Sequence, residues 1–249
     1  DIPEVVMKEG LTWNWASFPD YLDALEERQY DVDVATQVPH AALRVFVMGE
    51  RGANREEATV EDRAEMARLA AEGVRAGAFG FSTSRLLQHR TAEGEPIPSY
   101  GAAQEELLEI AAALADVGRG WIQTVGDFED AIDAEFDLRR EMAARSGLPL
   151  TMSLLQKEAR PDEWRDLLRR IECANDEGLK ITAQIRGRPT SVLLGFELSI
   201  NPFSECPSWS EVRDLDFQSR LAKLRDPALR ARLITEPCGD ELRQRRFQQ

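Results

Sequence analysis

No run in this chain approaches the roughly 20 consecutive apolar residues that a membrane-spanning helix needs. Basic residues are also in short supply, with 31 Lys and Arg against 45 Asp and Glu and a net charge of -14. That balance disfavours nucleic acid and anionic membrane surfaces as partners. Histidine occurs only 2 times and cysteine 3 times. Cys173, Cys206 and Cys238 lack metal-type spacing and cannot all pair internally, so a reduced, cytoplasmic setting is expected. The opening residues, DIPEVVMKEG, show neither the basic region nor the apolar core of a secretory signal. No G-x-G-x-x-G follows the early apolar runs and no P-loop occurs, which removes the main support for nucleotide binding. Low-complexity tracts and repeats of residue identity are absent too. With 249 residues, 43% of them apolar, the chain can bury a sizeable core. One domain over residues 1–249 is expected, with a core at about 31–186 and an irregular, helical excursion over 187–249.

What the chain does contain is a recurring helix–glycine–strand pattern. Gly77 leads into AFGFSTS, Gly118 and Gly120 into WIQTV, Gly147 into LPLTMS, and Gly178 into LKITAQI. Glycine ends helices in backbone conformations that other residues adopt only under strain. The short apolar runs read as strands buried on both faces, and strand–helix alternation implies a parallel sheet. Asp31 to Val38 reads as a further strand, followed by the apolar stretch Leu43 to Met48. Ser17 with Asp20, and Thr59 with Asp62, have the spacing of helix-capping boxes. Arg85 to Tyr100 reads as a long loop broken by Gly94, Pro96 and Pro98, a length often tied to function. About five βα units fit two architectures, an open doubly wound sheet or part of an eight-stranded βα barrel. Both place chemistry at the carboxyl ends of strands.

Several separated segments resemble the N-acyl-D-amino-acid deacylases (D-aminoacylases) of the amidohydrolase superfamily. They are VPHAALRVFVMGERG, the spaced T-x-E-D-x-x-E-M, and above all GAFGFSTSRLLQHRTAEGEPIPSY. The opening W-x-W-x-S-F-P-x-Y-L-D-A-L, the run PLTMSLLQ and the NPF…PSW region extend the resemblance over nearly the whole chain. It implies a TIM-type parallel (β/α) barrel, here incomplete and matching the middle of a longer catalytic domain. It also implies hydrolysis of a non-peptide amide bond with zinc or another divalent metal, on a small-molecule substrate. An incomplete barrel implies exposed strand edges and a tendency to aggregate.

The family's metal ligands do not map onto this sequence. Its His-x-His pair, its Asn-Cys-Gly turn and its late Asp have no counterparts here. A family histidine after the strand matching WIQTV is replaced by Thr124 or Val125, and one after LPLTMS by Leu154. The resemblance therefore puts the metal ligands largely outside this chain. Two alternatives stay open: a ligand-binding relative with a decayed metal site, and a hydrolase of cyclic amides such as hydantoin or dihydropyrimidine rings.

Candidate substrate-binding residues follow from strand-end position and from the resemblance. Ser82, Thr83 and Ser84 end one strand, although their hydroxyls serve equally well to cap a turn. Arg85, His89 and Arg90 follow in the loop, where an arginine suits a substrate carboxylate. His40 and Arg44 match a family His-x-x-Leu-Arg element, against the ordinary role of a lone histidine as a structural hydrogen-bonding group. Gln123, Gln156, Gln184 and Arg186 lie at or just beyond strand ends. Amides there can hydrogen-bond a substrate but cannot act as general bases. Asp127 is the nearest carboxylate to the mouth, with helix entry as its ordinary role. No residue stands out as catalytic or as a metal ligand.

Overall fold

The fold is taken from a computed structural model that describes residues 4–91, 94–127, 131–157, 160–188, 193–198 and 201–238. Helices α1 (Glu4–Gly10) and α2 (Phe18–Glu26) precede the core. Strand β1 (Gln37–Pro39) is followed by α3 (His40–Met48), α4 (Glu50–Ala53) and α5 (Val60–Ala76). Then come β2 (Gly80–Arg85) and α6 (Gln104–Ala115), β3 (Trp121–Gly126) and α7 (Ile132–Ser146), β4 (Leu150–Ser153) and α8 (Glu163–Asp176), and β5 (Ile181–Gln184). Beyond the core, a 3-10 turn (Pro207–Glu211) precedes α9 (Phe217–Leu224) and α10 (Pro227–Thr235).

Local chemistry sets the boundaries. Ser17 and Thr59 each accept the N–H three residues on, while Asp20 and Asp62 accept the cap N–H in return. Gly77, at φ 134°, and Gly147, at φ 64°, stop α5 and α7 in backbone conformations that favour glycine. The segment DVDVATQV forms a strand only from Gln37. Val32 and Val34 are 73% and 50% exposed. Their alternation with Asp31 and Asp33 imitates a half-buried strand, but no neighbouring strand pairs there among the described residues. The apolar stretch Leu43 to Met48 belongs to α3.

All five strands are parallel, and their order in the sheet is the order in the chain. A doubly wound sheet reverses direction at a switch point; this one never does. Right-handed crossovers in one sense place the connecting helices on the same face, and α3, α5, α6, α7 and α8 touch one another in that sequence. The winding is that of a TIM-type βα barrel over five strands.

Register divides the side chains between two faces. Val38, Phe81, Ile122, Leu150 and Ile181 form one row against the helices, packed with Met66, Leu107, Ile110 and Met142 in the main core. Pro39, Ser82, Gln123, Thr151 and Thr182 form a row on the other face, and the pairs Ser84–Val125 and Ser153–Gln184 lie on that face nearer the carboxyl ends. That face is the one a closed barrel turns inward.

A second small core holds Cys206, Trp209, Val212, Leu229 and Leu233. Here the expectation of reduced thiols needs correction, because Cys206 and Cys238 form a disulfide. Folding of residues 201–238 brings their Cα atoms to 4.2 Å, while Cys173 stays free and exposed. Among the described residues no helix is long and apolar enough to cross a membrane.

Candidate functional site at the carboxyl ends of the strands

The polar groups at the strand ends fall into two layers with different chemistry. The layer between sheet and helices contains two closed ion networks. His40 and Arg44, on the first turns of α3, are 1% and 2% exposed and converge on Glu106 in the first turn of α6, itself 0% exposed. His40 Nε2 lies 2.5 Å from Glu106 Oε1, and His40 Nδ1 lies 2.8 Å from Thr83 Oγ1. A neutral ring with its proton on Nε2 satisfies both contacts, donating to Glu106 and accepting from the Thr83 hydroxyl. Burial holds the His40 pKa below its usual value, against the opposing pull of the Glu106 bond and charge. Arg44 Nη1 donates to Glu106 Oε2, and Nη2 donates to the Glu56 carbonyl at 2.6 Å. Burial would raise the Glu106 carboxyl, but the hydrogen bonds from His40 and Arg44 and the Arg44 charge outweigh it and hold the pKa low.

The second network joins β2, β3 and α7. Arg85 donates to both carboxylate oxygens of Glu135 at 3.0–3.2 Å and to the Ala102 carbonyl at 2.7 Å. Arg139 donates to Glu135 Oε2 at 2.9 Å and to Thr124 Oγ1 at 3.1 Å. Gly126 makes room for this, since a Cβ there would stand 2.6 Å from Arg139 Nη2. Burial pushes the Glu135 carboxyl up, yet the two arginines bring its pKa below the ordinary value.

These placements separate the candidate residues. His40, Arg44, Thr83 and Arg85 lie in the helix-side layer with their polar ends engaged, so they hold elements together and do not face the open side of the sheet. Arg90 turns back into its own loop, donating to the Gly94 carbonyl at 2.9 Å. Gln156 is exposed beyond β4, apart from the other candidates.

The open face gathers the rest. Gln123 Nε2 donates to Gln184 Oε1 at 3.1 Å, reaching across Thr151 of the intervening strand. A shallow concavity of about 260 Å³ lies there, lined by Gln37, Phe79, Trp121, Gln123, Thr151 and Gln184. Phe79 and Trp121 stack at its amino-terminal end with ring centroids 6.1 Å apart. Ser82 and Ser84 are half-buried on the same face. Ser84 Oγ lies 2.7 Å from His89 Nδ1, the loop folding back to bring the imidazole onto the strand end. Burial lowers the His89 pKa, the negative charge of Asp127 acts to raise it, and the positive charge of Arg186 lowers it further. Asp127 is fixed just after β3, where its Oδ2 accepts the Leu87 N–H at 2.8 Å. Arg186 is exposed, two residues past the end of β5.

Glu106, Glu135, Arg139, Thr151 and Ser153 were not among the candidates. Glu106 had one usable signal, an acid standing beside the apolar stripe Leu107, Leu108 and Ala111 of a helix. Its pairing with Arg44 and His40, 62 and 66 residues earlier in the chain, had none.

The divalent metal implied by the resemblance can be tested on donor chemistry. A zinc site needs three or four imidazole, thiolate or carboxylate donors converging on one point. The strand ends offer serine, threonine, glutamine, valine and leucine; Asp127 after β3 adds a carboxylate, its Oδ2 taken by the Leu87 N–H, and both histidines are hydrogen-bonded to side chains. Among the described residues, three such donors converge only at Cys206, Glu236 and Cys238, where the two sulfurs are already bonded to each other. The residues present do not fit the metal.

Comparison with known proteins agrees with the winding of the sheet. The D-aminoacylase of Alcaligenes xylosoxydans xylosoxydans is 28% identical over 174 residues, 69% of this chain and 34% of that protein. The N-acyl-D-glutamate deacylase of the same organism is 28% identical over 180 residues, 71% of this chain and 34% of its own length. Its N-acyl-D-aspartate deacylase is 34% identical over 102 residues, 41% of this chain and 18% of that protein. This chain thus spans about a third or less of the length of the curated relatives it matches. A solved D-aminoacylase, described as defining a novel subset of amidohydrolases, superimposes with a TM-score of 0.59 at 25% identity, over 76% of this chain and 38% of that one. A Bordetella bronchiseptica N-acyl-D-glutamate deacylase, solved with zinc and a phosphonate mimic of the tetrahedral intermediate, gives 0.60 at 24% identity over 74% and 37%. A profile of the amidohydrolase family matches residues 5–241, and the chain belongs to that family.

Proposed function

We propose that this chain serves the hydrolysis of the amide bond in N-acyl-D-amino acids, its open sheet face forming part of the wall that holds the substrate. The carrying observation is the grouping of Ser82, Ser84, Gln123 and Gln184 on one face at the carboxyl ends of consecutive parallel strands. Hydroxyls and amides suit an acylated amine, which presents one N–H and one carbonyl. Arg186 and His89, at the same rim, suit its carboxylate. Family membership and relatives named for deacylating D-amino acids support the same substrate class. They lend nothing to the binding-only or cyclic-amide alternatives. The divalent metal of this family would take its ligands largely from outside the described residues. A cytoplasmic setting belongs to the same proposal and requires the Cys206–Cys238 pair to be reduced there, since disulfides persist mainly in oxidising compartments.

The test is release of free amino acid from N-acetyl-glutamate, N-acetyl-aspartate and N-acetyl-leucine, each as both enantiomers, with hydantoin as a ring control. The proposal expects release from D-enantiomers only. Equal release from L-enantiomers, or ring opening without deacylation, contradicts it.

A further inference from the structure

Residues 201–238 carry more chemistry than their packing accounts for. Their core is five side chains, Cys206, Trp209, Val212, Leu229 and Leu233, too few to hold a segment of this length without a covalent or metal staple. The Cys206–Cys238 bond is such a staple. Cys206 stands just before the 3-10 turn and Cys238 two residues beyond the cap of α10, so the bond ties together two elements that pack on each other. In a cytoplasmic setting thiols are kept reduced and this bond is lost. The five side chains are then left without a staple.

Glu236 supplies a third donor at the same place. One of its carboxylate oxygens and the two sulfurs all lie within 4.8 Å of one another. Glu236 leaves α10 with extended backbone, at φ -73° and ψ 148°, and Pro237 fixes the φ that follows. Residues two apart in an extended chain share a face, which brings Glu236 and Cys238 to one side. The carboxylate is also oriented. Its Oε1 accepts the Ser208 N–H at 2.9 Å and its Oε2 accepts the Ser208 hydroxyl at 2.7 Å, while Arg232 Nε donates to Ser208 Oγ at 3.1 Å. Each carboxylate oxygen keeps a lone pair for a further partner, and a ligating carboxylate is itself held by such hydrogen bonds. Cys206 is 4% exposed and Cys238 and Glu236 are half-buried, so the donors face a partly dry site.

We propose that in the reduced protein Cys206, Cys238 and Glu236 bind one zinc ion, which replaces the disulfide as the clip between the 3-10 turn and α10. Two thiolates and a carboxylate suit zinc, with water in the fourth tetrahedral position. The exchange balances. A dithiol reductant gives two electrons and two protons to the Cys206–Cys238 bond and is itself oxidised to a disulfide; zinc then displaces the two thiol protons. Zinc–sulfur bonds of about 2.3 Å at the tetrahedral angle put the sulfurs roughly 3.8 Å apart. Cα atoms 4.2 Å apart are close enough for that once rotation about the Cα–Cβ bonds separates the sulfurs. The inference goes beyond the deacylase reading and does not depend on it.

The experiment uses the full 249-residue chain with Cys173→Ser, which removes the exposed third thiol. The chain is reduced with dithiothreitol, freed of reductant under argon, and titrated with zinc and separately with cobalt(II) as a spectroscopic probe; the oxidised chain is titrated beside it. The expected result is one zinc per reduced chain and none on the oxidised one, with thiolate-to-cobalt charge transfer and the visible bands of tetrahedral cobalt. Hydrogen exchange over residues 201–238 should be slow in the oxidised chain, faster after reduction, and slow again with zinc. Glu236→Gln keeps both thiols and the side-chain shape, and should weaken zinc binding about tenfold or more. Slow exchange in β2 to β4 of every protein establishes that the βα core is folded. A reduced chain that binds no zinc, or that binds it as tightly with Glu236→Gln, overturns the proposal. Binding indifferent to oxidation of the cysteines, or bound zinc that leaves exchange over 201–238 fast, overturns it as well.

Discussion

Replacing Glu106 by glutamine removes one negative charge from a site that water does not reach. Its carboxylate is 0% exposed and takes hydrogen bonds from both His40 and Arg44. Glutamine keeps the shape and can still accept from His40, but it turns an amide or a weaker acceptor toward the Arg44 guanidinium. That guanidinium, 2% exposed, is left without a counter-charge. Breaking a buried pair from one side costs about 3–5 kcal/mol, a large share of the 5–15 kcal/mol typical of a folded domain. In a chain of this length each kcal/mol corresponds to about 2–4 °C, so the melting temperature should fall by roughly 6–20 °C. Arg44→Met combined with Glu106→Gln removes the stranded charge as well, and should recover at least half of the loss. The exposed helical pair Glu141 and Arg145 is the control, and Glu141→Gln should leave the urea midpoint unchanged. Urea denaturation followed by far-ultraviolet circular dichroism reads all four proteins. A Glu106→Gln midpoint equal to the parent's, or a double variant less stable than the single, refutes the electrostatic account of this layer.

Acidification should destabilise the fold in two stages. Unfolded His40 takes up a proton below about pH 6.5 while the buried ring, with its lowered pKa, does not; stability therefore falls as pH drops below that value. Glu106 and Glu135, also lowered, contribute above their unfolded pKa of about 4.3 and lose that contribution as pH falls further. Urea midpoints from about pH 8 to about pH 2.5 should show both stages, with the first flattened in His40→Gln. Gly80→Ala should unfold or precipitate the protein, because a Cβ there would stand 1.9 Å from the Trp121 carbonyl oxygen and part β2 from β3. Gly187→Ala, with nothing within 4 Å, should not, as soluble yield will show. Cys238→Ser should loosen residues 201–238, since a bridge spanning 32 residues stabilises by about 3–4 kcal/mol. Hydrogen exchange should rise there while β2 to β4 stay protected.

Caps, helix ends and four of the five strands were legible because each is written in a short window. Thr59 and Asp62, or Gly147 before LPLTMS, need no information from elsewhere in the chain. The choice between an open doubly wound sheet and a barrel was not legible from local pattern, because strand order is a property of pairing between distant segments. The resemblance supplied the barrel, and the monotonic order of β1 to β5 agrees with it. For the site, strand-end position found Ser82, Ser84, Gln123 and Gln184, but position says nothing about which face a residue takes. Thr83 and Ser84 are neighbours, yet one turns toward His40 and the other toward His89. Arg44 and Arg85 carried the charge expected of substrate ligands, and only their acidic partners on α6 and α7 reveal that the charge is already used. Cys206 and Cys238 pair because a small core forms around Trp209, and a count of cysteines contains no trace of that.

Residue-resolved hydrogen exchange of the protein with saturating N-acetyl-D-glutamate, and separately with its L-enantiomer, tests most directly whether the open face of the sheet is where substrate sits. The account predicts new protection with the D-enantiomer at residues 82–89, 123–127 and 184–186, and none at 40–44 or 104–110. Protection confined to the His40–Arg44–Glu106 layer, or the same protection with both enantiomers, contradicts it.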